Sequence, residues 1–116
     1  MDKPKHYRKL IEKQIQDVVD LVNRQYKTDE GEGIAHCVFD ERRNNYLLVK
    51  AGWNKGRCSE GTTLFLRLRD GKIYIEQDWT EYGIANSLID AGVPEEDIVL
   101  AFQSPWLRER VAASQS

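Results

Sequence analysis

The chain has 116 residues, 41% of them hydrophobic and 31% charged, the balance of one folded domain spanning residues 1–116 rather than of a disordered chain. Lys and Arg number 17 against 19 Asp and Glu, a net charge of −2, so bulk attraction to DNA or anionic lipid is not the expected driving force. No apolar run approaches the ~20 residues of a membrane span and none near the N-terminus reads as a signal peptide, so a cytoplasmic protein with no membrane partner is expected.

Residues 4–27 read as one long amphipathic helix. Tyr7, Ile11, Ile15, Val18, Val22 and Tyr26 fall within an arc of about 100° at 3.6 residues per turn. Leu10 and Leu21 form a second flank roughly 80° away. Lys3, Lys5, His6, Arg8 and Lys9 crowd the helix start, where the helix dipole disfavours positive charge. That conflict fits either solvated side chains or an acidic partner. Thr28-Asp29-Glu30-Gly31-Glu32-Gly33 then reads as a flexible connection.

Beyond it the period changes from 3.6 to 2. Residues 34–40 and 45–53 are rich in β-branched, aromatic and leucine side chains, joined by a hairpin loop at Glu41-Arg42-Arg43-Asn44-Asn45. Residues 62–69 and 72–79 flank Asp70-Gly71, the favoured dipeptide of a two-residue type I′ turn. Such a turn sets Leu68 opposite Ile73 and Leu66 opposite Ile75, one aliphatic side of a sheet. The other side carries Phe65, Arg67, Tyr74 and Glu76. Asp78-Trp79-Thr80-Glu81 has capping-box spacing, predicting a helix to about Ala91 with Ile84, Ala85, Leu88 and Ile89 buried and Gly92 and Pro94 as its stop. Residues 98–102 suggest a short buried strand. Ser104-Pro105 reads as the start of a last helix through about Ala113. The elements are grouped, which predicts an α+β fold: a long N-terminal helix on a mainly antiparallel four- to five-stranded sheet, with two short C-terminal helices.

Chemistry is sparse. Gly56-Arg57-Cys58-Ser59-Glu60-Gly61-Thr62-Thr63 has the glycine spacing of a phosphate loop, but Thr62 stands where the lysine belongs and a strand follows, so it reads as a strand-to-strand loop. His6, His36, Cys37 and Cys58 lack metal-ligand spacing, and the two cysteines are expected as free thiols, Cys37 in the core and Cys58 exposed. No cofactor is implied. Glu76 and Asp78 share a strand face and could together hold a hard cation, although Asp78 and Glu81 have a simpler use as helix caps. Ser59 and Ser104 have no identifiable histidine partner. Arg67 beside Phe65 and Tyr74 is the aromatic-plus-basic mixture of single-strand binders, opposed by Glu76 on the same face. Trp53, Trp79 and Trp106 sit at element ends, where they either seal the core or anchor an interface. The sheet edges and the amphipathic face leave self-association open.

The run from Asp70-Gly71-Lys72-Ile73 through Gln77-Asp78-Trp79-Thr80-Glu81 to Gly83-Ile84-Ala85 resembles the XisI family, the fdxN element excision controlling factors. So do Ala91-Gly92-Val93-Pro94, Glu96-Asp97-Ile98-Val99-Leu100-Ala101-Phe102, Ser104-Pro105, and upstream Asn45-Tyr46-Leu47-Leu48-Val49 with Gly52-Trp53. The resemblance spans nearly the whole chain. It implies a small, non-enzymatic cyanobacterial accessory protein for programmed excision of a DNA element by a separate site-specific recombinase. It further implies a nuclease-like XisH partner, with DNA reached indirectly, and carries no catalytic residues onto this chain. Direct binding of DNA ends or single strands through Phe65, Arg67 and Tyr74 is the competing reading.

Overall fold

A computed structural model describes residues 3–103. Helix α1 (Lys3–Gln25) is followed by strands β1 (Ala35–Asp40), β2 (Asn45–Asn54), β3 (Arg57–Arg69) and β4 (Lys72–Asp78). Helix α2 (Ile84–Asp90), a 3-10 turn (Glu95–Asp97) and strand β5 (Ile98–Leu100) follow. The five strands form one sheet in chain order, antiparallel except for the parallel β4–β5 pair. The expected α+β class and long N-terminal helix are both present. The last expected helix, with Ser104 and Trp106, lies outside the described residues.

The Asp70-Gly71 turn has both central residues at positive φ (53° and 73°), which matches the right-handed twist of the flanking strands. Its register pairs Leu68 with Ile73, Leu66 with Ile75 and Arg67 with Tyr74, as the two-residue loop requires. Leu66, Leu68, Ile73 and Ile75 are all buried, each worth about 1.5–3 kcal/mol as an apolar side chain removed from water. They meet Tyr7, Ile11, Ile15 and Val19 of α1 and Ile84 and Leu88 of α2. The helical stripe is therefore rotated from the expected one. Val19 is buried, Val18 and Val22 only pack at its margin, and Tyr26 is 58% exposed, because the helix ends at Gln25 and Tyr26 no longer follows its stripe. Leu10 packs against the core while Leu21 is exposed.

Several local expectations are corrected. Residues 56–63 are not a loop: β2 and β3 continue through Trp53–Cys58 and Asn54–Arg57 pairs to a second tight turn at Lys55-Gly56, again with both φ positive (49° and 80°). The connection after α1 is not loose. Thr28 N–H donates to Glu32, and the Asp29 carboxylate accepts from Lys55 N–H, clasping the turn to this β2–β3 arm. The capping box does not form, because helix α2 starts six residues after Asp78. Asp78 still caps it, with Oδ2 accepting the Ile84 N–H at 2.7 Å while Oδ1 accepts from the Thr80 N–H and hydroxyl. At the other end Val93 N–H reaches Leu88 and Gly92 N–H reaches Ile89, a Schellman ending whose Val93 and Leu88 are both buried. Ile89 lies 40% exposed, since so short a helix turns only one narrow side inward. Strand β5 is half-buried rather than buried, because it lies outside β4.

One long-range tie joins the ends of the described chain. Asp97, buried at the end of the 3-10 turn, accepts from the Tyr7 hydroxyl at 2.5 Å and pairs with Lys3 Nζ at 2.8 Å. The Lys3 ammonium and the Tyr7 hydroxyl hold the Asp97 carboxyl below its usual range. Burial, then Asp97 itself, pushes the Tyr7 phenol up to about 12. Because the folded state binds the Asp97 proton less tightly than the unfolded chain, this stabilisation is present above the ordinary carboxylate pKa and is lost as pH falls through the lowered value. Asp97→Asn should therefore lower the melting temperature at neutral pH, with the gap to the parent protein closing in acid, as read by circular dichroism melts over a pH series.

Candidate functional site

Helices α1 and α2 cover one side of the sheet and share a single core with it, so the pleat decides what the other side shows. Along β2, Tyr46 and Leu48 point into the core, which places Asn45, Leu47, Val49, Ala51 and Trp53 on the opposite side. Cross-strand pairing extends this into rows. Val38, Leu47, Phe65 and Gln77 make one; Asp40, Asn45, Arg67, Tyr74 and Val99 make the next. Val38 is 48% exposed and Trp53 is 61% exposed, while Leu47, Phe65, Arg67 and Tyr74 are half-buried. The open face is thus an apolar band with a charged margin.

The structure brings together the four residues that the sequence set on this side. Arg67 Nη1 lies 3.6 Å from Glu76 Oε2, and the Arg69 guanidinium sits 5.4 Å from the centre of the Tyr74 ring. Phe65 pairs with Gln77, because a bulge at Glu76 shifts the register beyond Leu66–Ile75. The same bulge overturns the idea that Glu76 and Asp78 share a face. Asp78 stands across from buried Leu64 with both oxygens occupied in capping, while Glu76 turns to Arg67. Among the described residues no group of three or more His, Cys, Asp or Glu could hold a metal ion. Cys37 is partly buried and Cys58 is exposed, opposite Trp53 on the arm. Trp79 is 74% exposed, with its backbone N–H donating to the Thr63 carbonyl, so neither Trp53 nor Trp79 seals the core.

A polar cluster that the sequence did not reveal lies under the start of the sheet. Arg8 donates to the Tyr46 hydroxyl at 3.2 Å and reaches Asn44 Oδ1, which also receives the Tyr46 hydroxyl. Beside them Glu12 Oε2 is buried, with no hydrogen-bond partner among the described residues. Burial, then the neighbouring Glu41 carboxyl, raises the Glu12 pKa. The i, i+4 spacing of Arg8 and Glu12 looks like an ordinary solvated helix pair, so only the fold exposes the cost. On the helix side, a groove of about 370 Å³ is lined by Val22 of α1, Tyr26 just beyond its end, and Leu48 and Lys50 of β2.

Helices on one side of a five-stranded mixed sheet, and on the other an amphipathic face that no described element covers, define the class: a small α+β protein built around one sheet. No helix among the described residues is long and apolar enough to cross a membrane. The XisI protein family model matches residues 1–113, and the chain belongs to the XisI family. The crystal structure of the fdxN element excision controlling factor XisI from Anabaena variabilis is similar, with a TM-score of 0.74 and 33% identity, covering 92% of this chain and 99% of that one. A XisI-like protein from the same organism matches with a TM-score of 0.76 and 26% identity, over 89% of this chain and 90% of its own. A comparison with curated proteins returns no match.

Glu12 gives a prediction of opposite sign to Asp97. A carboxyl whose folded pKa is raised favours the native state while protonated, and stability falls as pH rises through that value. Glu12→Gln should therefore raise the melting temperature at neutral pH, and its advantage should fade as the solution is acidified, as followed by differential scanning calorimetry.

Proposed function

We propose that this protein is a non-enzymatic accessory factor in the control of programmed DNA element excision of the cyanobacterial, heterocyst type. It acts by binding a XisH-like, nuclease-fold partner in the cytoplasm, and it reaches recombinase and DNA only through that partner. The single observation that carries this reading is the sheet face that no described element covers, where Val38, Leu47 and Phe65 form an apolar row beside the Arg67–Glu76 pair. An apolar centre with a polar margin is the composition of a protein interface. Family membership and the excision-control role named for the Anabaena variabilis relative support the setting.

The charge pattern favours a protein over a nucleic acid. A phosphate backbone is bound by basic side chains free to displace counterions. Here Arg67 is offset by Glu76 and Arg69 lies against Tyr74. Trp53, standing out on the arm at the end of the same face, supplies a large anchor with a polar tip.

Co-expression with a XisH-like protein should give a complex that survives size exclusion at micromolar concentration. Phe65→Asp and Leu47→Asp should each weaken it by about tenfold or more with an unchanged circular dichroism spectrum. Clean separation of the two proteins would sink the reading. Salt-dependent retardation of a single-stranded oligonucleotide, abolished by Arg67→Ala, would replace it with direct DNA binding.

A further inference from the structure

The outer edge of β1 carries a specific set of hydrogen-bonding groups that no described strand uses. Ile34 and the residues in step with it turn their backbone groups towards β2, as the Ala51 N–H bond to the Ile34 carbonyl records. Ala35, Cys37 and Phe39 consequently turn theirs outward. At Ala35 the outward pair is already satisfied, because the Asn23 side chain of α1 receives the Ala35 N–H at 2.8 Å and donates to its carbonyl at 2.9 Å. Gly33 makes room for that contact, since a Cβ there would lie 2.2 Å from Asn23 Cγ. Cys37 and Phe39 are left, and among the described residues only β2 lies beside β1. The strand carries no proline, lysine or bulge, the usual devices that block edge pairing.

We infer that this edge pairs antiparallel with β1 of a second copy, about a two-fold axis passing through Val38. Two independent features select that register. Centred on Val38, Cys37 of each copy faces Phe39 of the other, so all four outward N–H and C=O groups on each strand are used at once. The same register sets exposed His36 opposite Asp40 of the second copy, twice, on the open-face side. The imidazole donates to a carboxylate that among the described residues accepts from Arg43. Centring on Cys37 would bring Phe39 against the amide groups already closed by Asn23. Centring on Phe39 would bring Cys37 against Glu41, beyond the strand. Val38 itself, 48% exposed in the single chain, meets its own copy at the close, non-hydrogen-bonded spacing of about 4.5 Å. The two five-stranded sheets become one, and the uncovered faces of both copies run on as a single surface.

Light scattering and sedimentation equilibrium on the full chain test this. The protein should be a dimer at micromolar concentration. Val38→Lys, which sets two like charges across the axis, should raise the dissociation constant by about tenfold or more without changing the monomer's melting curve. Mixing His36→Asp with Asp40→Lys restores both cross-strand pairs, so the mixture should dimerise more tightly than either variant alone. Val38→Cys, in a chain also carrying Cys37→Ser and Cys58→Ser, should form an interchain disulfide under copper–phenanthroline, because the axial spacing suits that bond. A protein that stays monomeric at every concentration, or a dimer indifferent to Val38→Lys, would overturn the proposal. These readouts need no second protein, so they stand or fall separately from the binding of a XisH-like partner.

Discussion

The register of the β3–β4 hairpin is the constraint on which the rest depends. A two-residue turn with both φ angles positive fixes the alignment of the strand segments next to it, and side chains there alternate between faces as far as the bulge at Glu76. Leu66, Leu68, Ile73 and Ile75 therefore go inward together, and Arg67 and Tyr74 go outward together. A slip by one residue would drive a guanidinium into the core and four aliphatic side chains into water. The amphipathic outer face is thus a by-product of a core that could not be built otherwise.

Single polar side chains hold the helices to this sheet. Asp78 ends β4 and, through the same carboxylate, starts α2, so strand and helix are joined by hydrogen bonds as well as by apolar contact. Asp97 ties the first turns of α1 to the entrance of β5. Asn23 does the same near the other end of α1 by standing in for a strand beside Ala35. These three groups fix where α1 and α2 lie along the sheet, while the apolar core fixes only that they lie on it.

Much of this was legible in the chain. Asp70-Gly71 between two alternating runs led directly to the central hairpin, and residues 4–27 to α1. The arm was not legible, because Lys55 is not a residue that advertises a positive φ and the glycines at 56 and 61 read as a loop. The bulge at Glu76 left no mark in the alternation and so misplaced Asp78. Asp97 was hidden in an acidic run, Glu95-Glu96-Asp97, that looks wholly solvated until the Tyr7 hydroxyl is brought beside it. The face of Phe65, Arg67, Tyr74 and Glu76 was readable because it needs only turn type and period.

The Tyr7–Asp97 bond closes a span of 90 residues in a molecule whose strands otherwise sit beside their immediate neighbours in the chain. On a ribosome adding about 5–20 residues per second, that span takes roughly 5 to 18 seconds to emerge. During this interval the first helix is out of the exit tunnel with its oily stripe bare, while hairpins assemble one after another behind it. Asp97, arriving late, is the latch that lets the opening segment settle, so a nascent chain truncated before it would carry a nearly finished sheet and a helix without the partner that secures its start.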